Sequence, residues 1–493
     1  MARTRKSRRW TSVAALVAGC LIASPALAYD RDAWLADYAK LKTAMEASYA
    51  NLAWFGSPRG GVDLPALDRR TIAALEAAPD DDTARQAIRA FVASLHDGHF
   101  SELTTLEPAK AGVEPEPAPA DLRKADPAAG CAALGYANRS AMAFSAPFES
   151  LDGFRLEADG LTTGFRAGVI SIGGRAIGVV RIRSFQLKQH PDACERAWAA
   201  HPDLDKRGDA FDTAVADAWF QALADQLARF RKEGVAIVLV DVGSNGGGND
   251  SGDWMPRMLT AAKVSSARMM MSAAPVAQTY AQEEIDDAAK AVRMDPSPAT
   301  RGLADQVTAY FKDRIAALPS RGCDMSWVWR EQRPFDLTGC SRLIDMGHAS
   351  GAFGYLDRAA WGERMAGAKL YWPATIEPWR GAWTGPTYAL TSATSYSSAE
   401  MFAALVQDQK IAKTVGVRTG GDGCGFVEDT PPTVLPHSLL RLRMPNCVRL
   451  RADGGDEVAG VTPDIPVPNL EGESARARAL KILKLIAADA PGR

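Results

Sequence analysis

The feature that most constrains the fold is the short run Val235-Ala236-Ile237-Val238-Leu239-Val240-Asp241-Val242, which is apolar apart from its aspartate. A run of this kind, without polar alternation, is typical of a strand buried on both faces of a sheet. It ends in a glycine-rich turn, Gly243-Ser244-Asn245-Gly246-Gly247-Gly248. The pattern predicts an α/β protein in which this strand lies inside the sheet.

The glycine-rich turn has two interpretations. Successive backbone N–H groups after a buried strand can surround an anion. The spacing matches neither a dinucleotide fingerprint nor a P-loop, because no Gly-x-Gly-x-x-Gly register and no Gly-Lys-Ser or Gly-Lys-Thr is present. A plain tight turn explains the glycines equally well.

The neighbouring segments support an alternation of strands and helices. A strand is predicted at Ile177–Ile182, and a helix with one apolar face ends at Gly234. Further along, a strand at Tyr388–Thr391 is followed by a helical pattern at Ala399–Val406 and by another strand at Ile411–Val417. Two later alternating segments, at 439–443 and 448–451, predict a hairpin.

A chain of 493 residues exceeds what one hydrophobic core usually supports, so more than one domain is expected. Amphipathic helices near the start predict a small helical domain, and the stretch that follows is proline-rich and then glycine-punctuated. The predicted layout is a signal peptide at 1–28, an N-terminal helical domain at 29–105, a linker with a small β-rich segment at 106–176, a main α/β domain at 177–470 with a largely helical insertion at about 250–375, and a C-terminal helix at 471–493.

The first 28 residues predict export. A basic start, an apolar run from Val13 to Ile22 and the small-residue site Ala26-Leu27-Ala28 form the parts of a secretory signal. Two alternatives are a lipoprotein signal, with Cys20 lipidated, and a twin-arginine signal at Ser7-Arg8-Arg9. We therefore expect a periplasmic or secreted protein, without membrane attachment unless Cys20 is lipidated.

Charge and cysteine content narrow the function classes. The net charge is −2 and becomes more acidic once the basic leader is removed, so nucleic-acid binding is not expected. An even number of cysteines remains after cleavage, which predicts disulfides in an exported chain. Pairing of sequence neighbours is the simplest arrangement of these cysteines, which are Cys131, Cys194, Cys323, Cys340, Cys424 and Cys447.

The stretch Ser397-Ser398-Ala399-Glu400 lies between a predicted strand and a predicted helix. A hydroxyl at such a junction lies near free backbone N–H groups and the positive end of the helix dipole, which favours a serine nucleophile. The alternative is an ordinary helix N-cap with a capping box. Locally, Ser395, Ser397 and Ser398 are equal candidates.

Two of the six histidines lie in Leu95-His96-Asp97-Gly98-His99, at the end of a predicted helix. His99 fits a general base on a loop, oriented by Asp97 or by a distant carboxylate. A helix C-cap is an alternative. A metal site has little support, because no carboxylates stand at ligand spacing.

Four segments in order, at 97–99, 241–248, 397–400 and 457–464, resemble the tail-specific and tricorn-type serine peptidases. The resemblance implies a catalytic domain with the ClpP/crotonase-like ββα superhelix. It further implies that Ser397 is the nucleophile, that the Ser398 N–H is one oxyanion donor, and that an N–H from Gly247 or Gly248 is the second.

The resemblance also indicates a branch of that family. The tail-specific branch uses a lysine base, and Asp422 stands at the matching position of Thr419-Gly420-Gly421-Asp422. The tricorn-like branch instead uses a histidine and a glutamate, which His99 and Glu457 match. The implied function is an exported serine peptidase that acts on peptides or proteins without metal or cofactor. A catalytically silent ligand-binding relative and an esterase-like acyl hydrolase remain alternatives.

Overall fold

The computed structural model describes residues 29–103, 122, 125–138, 145–162, 164–318, 323–337, 342–428 and 430–491. The predicted signal peptide at 1–28 and the proline-rich stretch at 104–121 lie outside these residues. The described part of the chain contains α-helices and β-strands in alternation, with a few short 3₁₀ turns.

The helices are α1 Arg31–Ser48, α2 Leu52–Phe55, α3 Leu64–Ala77, α4 Asp81–Ala93, α5 Pro127–Ala133, α6 Pro191–Ala200, α7 Asp209–Lys232, α8 Ser251–Trp254, α9 Pro275–Met294, α10 Pro298–Ala317, α11 Arg364–Ala368, α12 Ser398–Asp408 and α13 Ala475–Asp489. The strands are β1 Ser101–Glu102, β2 Arg155–Asp159, β3 Arg166–Ile172, β4 Arg175–Arg181, β5 Ile237–Asp241, β6 Arg268–Ser272, β7 Leu343–His348, β8 Thr387–Thr391, β9 Lys413–Gly416, β10 Thr433–Val434, β11 Arg441–Arg443, β12 Cys447–Leu450 and β13 Ile465–Pro466.

The main sheet has the order β13-β9-β8-β5-β4-β3-β2 among the described residues. Its strands are parallel from β13 to β4, and β2 and β3 add an antiparallel edge. Strand β5 is buried on both faces, as its apolar run predicts. Val238 and Val240 pack into the core under α7, whereas Ile237 and Leu239 pack into the core under α13.

The carboxyl ends of β5 and β8 meet at one edge of this sheet. The Val242 N–H donates to the Leu390 carbonyl at 3.1 Å, so the glycine-rich turn after β5 lies beside the start of the β8–α12 connection. Ligands commonly bind at this edge of a parallel sheet. The main sheet also includes β2 and β3, which precede residue 177, and the predicted domain boundaries remain predictions.

The predicted N-terminal helices are present as α1 to α4 and share a core of their own. That core also takes in residues from the second half of the chain, including Leu435, Leu440 and Leu442. Strand β1, just after α4, pairs with β11. The loop that carries His99 is therefore fixed against the C-terminal half of the molecule.

The predicted insertion at 250–375 contains α8 to α11 and also two strands, β6 and β7. The predicted hairpin at 439–451 is wrong: β11 pairs with β1 and β10, whereas β12 pairs with β6. The connection between β11 and β12 contains Pro445, which has no N–H to donate to a neighbouring strand. The Pro445 carbonyl accepts a hydrogen bond from the Ala50 N–H. The two strands thus belong to different sheets.

Disulfides join Cys131 to Cys194 and Cys424 to Cys447, which confirms the pairing of sequence neighbours for these four cysteines. Cys323 is also disulfide-bonded, and Cys340 lies outside the described residues. Within the described ranges, no helix is both long enough and apolar enough to cross a membrane.

Candidate active site

Ser397 lies at the junction between β8 and α12 with φ 53° and ψ −119°. A non-glycine residue at positive φ is strained, and such strain is typical of a nucleophile on a sharp turn from strand to helix. Ser397 occupies the N-cap position, yet its side chain makes no capping hydrogen bond. The N-cap alternative therefore describes the backbone only.

The neighbouring serines have other partners. Ser395 is buried and its Oγ donates to the Val242 carbonyl at 2.8 Å. Ser398 Oγ donates to the Asn249 carbonyl. Ser397 Oγ has no hydrogen-bond partner in the part of the chain that the structure describes. The structure thus separates three serines that local sequence leaves equivalent.

The glycine-rich turn packs directly against Ser397. A Cβ added to Gly247 would lie 2.6 Å from Ser397 Cβ and 3.0 Å from Ser398 N, so only glycine fits there. The Gly247 N–H donates to Asn245 Oδ1 at 2.8 Å. The N–H groups of Gly248 and Ser398, in contrast, have no acceptor among residues with described positions. Gly248 lines the same cavity as Ser397, and Ser398 follows Ser397 directly in the chain, so both N–H groups are candidates for binding an anion there.

His99 contacts the loop that follows β9. Its Nδ1 lies 2.8 Å from the Asp422 carbonyl oxygen and 3.1 Å from Asp422 Oδ1. Because a carbonyl only accepts, Nδ1 carries the proton in this contact, and Nε2 keeps its lone pair. Gly425 lies against the ring, and Phe426 meets it edge to face at 5.5 Å. The tautomer with the proton on Nδ1 and the lone pair on Nε2 is the one that a general base requires.

Asp97 holds the backbone of the His99 loop. Its buried carboxylate accepts from Tyr49 Oη at 2.7 Å, from Asn51 Nδ2 at 2.9 Å and from the His99 N–H at 3.1 Å. These donors occupy both oxygens. Asp97 therefore positions the loop rather than the imidazole.

Glu457 is buried and forms a two-point ion pair with Arg449, at 2.9 Å and 3.0 Å. Arg449 Nη2 also donates to the Gly423 carbonyl at 3.0 Å. The Glu457 carboxylate thus reaches the loop of Asp422 through Arg449. The carboxylate within 3.1 Å of the His99 ring belongs to Asp422.

Residues 176–467 match the model of peptidase family S41, which is more than half of the chain. The chain belongs to peptidase family S41. The predicted resemblance is thereby confirmed at the level of the family, and the protein is a serine-type peptidase. The assignment to the tricorn-like branch stays a prediction.

Solved structures agree with this S41 fold. Mature CPAF superposes with a TM-score of 0.54 at 16% identity, covering 93% of this chain and 98% of the other. Mature CPAF complexed with lactacystin gives 0.54 at 14% identity, with the same shares covered. A putative peptidase from Parabacteroides merdae gives 0.47 at 13% identity, over 92% and 96% of the two chains. A comparison with curated protein sequences gives no match. At these identities, the CPAF structures show a shared fold.

Glu400 holds the 419–423 loop of this S41 peptidase, a role that the sequence did not predict. In the sequence, Glu400 served only to identify Ser397 as the serine of the Ser-x-x-Glu motif. Its buried carboxylate accepts from Thr419 Oγ1 and from the N–H groups of Gly421, Asp422 and Gly423, at 2.5 to 3.0 Å. Burial raises its pKa. A helix residue one turn after Ser397 thus holds the loop that contacts His99. The sequence signal for this role was the glycine-rich segment 419–423, whose successive backbone N–H groups can bind an anion.

Ser397, His99, Gly248 and Asp422 line one cavity of about 800 Å³. Burial, together with the nearby Arg449 and Arg443, lowers the pKa of His99 to about 4, although its hydrogen bond to Asp422 acts in the opposite direction. His99 is therefore neutral, and able to accept a proton, at neutral pH. Among the described residues, no group of three or more His, Cys, Asp or Glu side chains is placed to hold a metal ion.

Proposed function

We propose that this S41 peptidase hydrolyses peptide bonds with Ser397 as nucleophile and His99 as general base. The observation that carries the proposal is the strained, unpartnered Ser397 in the same cavity as a histidine whose Nδ1 is already engaged. The Ser397 Oγ proton passes to His99 Nε2 as Oγ bonds to the scissile carbonyl carbon. The imidazolium then protonates the leaving amine, and a water molecule later hydrolyses the acyl-enzyme in the same way.

The oxyanion hole consists of the N–H groups of Gly248 and Ser398. Gly247 was an equal candidate from sequence, but its N–H already donates to Asn245. Gly247 contributes by its missing side chain, which lets the turn approach Ser397. Each donor of this kind is worth about 10²–10³ in rate.

Glu457 is the third member of the proposed Ser-His-Glu triad, in the role of the glutamate that supports the histidine. Its ion pair with Arg449, and the Arg449 contact to Gly423, support an action on the His99 environment through the 419–423 loop. At the level of fold, we assign the sheet and its helices over 177–470 to the ClpP/crotonase-like ββα superhelix. We also propose export to the periplasm or medium, on the basis of the 1–28 signal pattern.

Labelling with a fluorophosphonate probe followed by peptide mapping tests the proposal. We expect labelling of the parent protein at Ser397, none in Ser397→Ala, and at least 10²-fold slower labelling in His99→Ala. Ser171→Ala, a change on an exposed strand position, serves as a matched control that should label normally. A folded parent that resists the probe would favour the silent relative. Cleavage of ester but not of peptide substrates would favour the acyl hydrolase.

A further inference from the structure

Asp422 is the acidic side chain in contact with the proposed base, and no catalytic role follows for it from sequence alone. Its side chain is 8% exposed, and its Oδ1 lies 3.1 Å from His99 Nδ1. That oxygen receives no well-aligned hydrogen bond from any described residue, because the ring N–H is directed at the carbonyl oxygen of the same residue. One residue thus offers the imidazole both a carbonyl dipole and a carboxyl group.

The surroundings of Asp422 hold it in this position. Its N–H donates to Glu400 Oε2 at 2.8 Å, and the flanking N–H groups of Gly421 and Gly423 bind the same carboxylate. Two residues further on, Cys424 is tied to Cys447. Opposite, a Cβ on Gly98 would lie 3.2 Å from Asp422 Oδ2, so glycine next to His99 leaves room for the aspartate.

We propose that Asp422 is the positioning residue that orients His99 and stabilises its imidazolium, while Glu457 acts one step away through Arg449. The inference rests on the proposed roles of Ser397 and His99 and adds the identity of the group behind the base. When the Ser397 proton reaches Nε2, the positive charge of the ring is shared with Nδ1–H. That proton faces the Asp422 carbonyl and carboxyl oxygens, so charge develops where acceptors are already in place.

The charge on Asp422 depends on the groups that face it. Burial and the carboxylates of Glu400, Asp97 and Glu457 raise the pKa of Asp422 to about 8, against the opposing effect of Arg449. Asp422 is therefore neutral in mildly acidic solution and becomes a carboxylate as the pH rises through about 8. A carboxylate stabilises imidazolium better than a neutral acid does. A first rise of kcat/KM is expected as His99 loses its proton near pH 4, and a second rise is expected as Asp422 ionises near pH 8.

The decisive comparison is Asp422→Asn against Glu457→Gln over pH 5–10. Asp422→Asn keeps the backbone carbonyl and the size of the side chain but cannot ionise. We expect it to lose the upper rise of kcat/KM, with a reduction of roughly 10–10² at pH 9 and a smaller one at pH 6. Glu457→Gln should keep the upper rise. Loss of the rise in Glu457→Gln together with its retention in Asp422→Asn would overturn the inference.

A spectroscopic measurement covers the case in which Asp422→Asn folds poorly. In a Ser397→Ala background, the His99 Nδ1–H resonance should shift with pH near 8, and Gly98→Ala, which crowds Asp422 Oδ2, should displace it. An Nδ1–H resonance insensitive to both would also overturn the inference. Fluorophosphonate labelling of Ser397 in each active variant keeps the two proposals distinct: a parent that does not label contradicts the nucleophile, whereas a labelled Asp422→Asn with an unchanged pH profile contradicts only Asp422.

Discussion

The serine side and the histidine side of this site are held in different ways. Ser397 and Ser398 lie between β8 and the start of α12, and the turn that carries the proposed donor Gly248 follows β5, so elements of the main sheet position this side of the site. His99 stands on a loop and contacts a second loop 323 residues away in sequence. That second loop is held by a disulfide and by the buried Glu400. Secondary-structure geometry fixes the proposed nucleophile, whereas packing between distant loops fixes the proposed base.

The largest effect on the serine side should come from Gly247→Ala. The added Cβ would lie 2.6 Å from Ser397 Cβ and 2.9 Å from the Tyr396 carbonyl, and Gly247 has φ 99°. We expect kcat/KM to fall by about 10²–10³, because the proposed nucleophile and oxyanion donors would shift together.

Gly246→Ala provides the matched control, because a Cβ at Gly246 meets nothing within 4 Å. It should keep activity within a few-fold, by the same peptidase assay. Equal losses in both variants would mean that the turn matters for general folding, and that its contact with Ser397 is unimportant.

On the histidine side, the disulfides allow a paired test. The Cys424–Cys447 bond spans 23 residues beside the Asp422 loop, whereas the Cys131–Cys194 bond spans 63 residues, and neither cysteine of the latter lines the cavity shared by Ser397 and His99. Replacing either pair by serines should lower the free energy of unfolding by about 3–4 kcal/mol. Only loss of Cys424–Cys447 should also lower kcat/KM, by roughly 10-fold, because it releases the loop against His99.

Denaturant unfolding and steady-state kinetics on both double variants measure the two effects separately. If the Cys131/Cys194 variant lost as much kcat/KM per kcal/mol of lost stability as the Cys424/Cys447 variant, the disulfide near His99 would have no special role in the site.

Glu400→Gln tests the link between the two sides. A glutamine has one acceptor oxygen in place of two carboxylate oxygens, and its NH₂ group faces N–H donors of the loop. We expect a loss of about 1–3 kcal/mol in the free energy of unfolding and a lower kcat. Ser397 labelling should slow as well, since the loop that orients His99 is loosened. Unchanged kinetics would show that the loop keeps its position without Glu400.

This division also explains how much the sequence could predict. The buried strand β5, the strand-to-helix junction at Ser397 and the helices α7 and α12 follow from local pattern, because periodicity and turn residues determine them. The family resemblance supplied His99 and Glu457. The Asp422 contact and the Arg449–Glu457 pair depend on how distant loops pack, which periodicity does not encode. The hairpin at 439–451 failed for the same reason, because β11 and β12 find better partners in separate sheets.

The smallest predicted effect concerns the strain at Ser397. Its φ of 53° disfavours any side chain with a Cβ, so Ser397→Gly should be more stable than Ser397→Ala by about 1 kcal/mol. Both variants lack the Ser397 hydroxyl, so the difference in stability reports backbone strain. The matched pair Ser171→Gly and Ser171→Ala, on strand β3, should show the opposite sign, because glycine weakens an ordinary strand. Thermal or denaturant unfolding of the four variants measures both differences. If glycine destabilised both positions equally, the backbone of Ser397 would not be strained in solution.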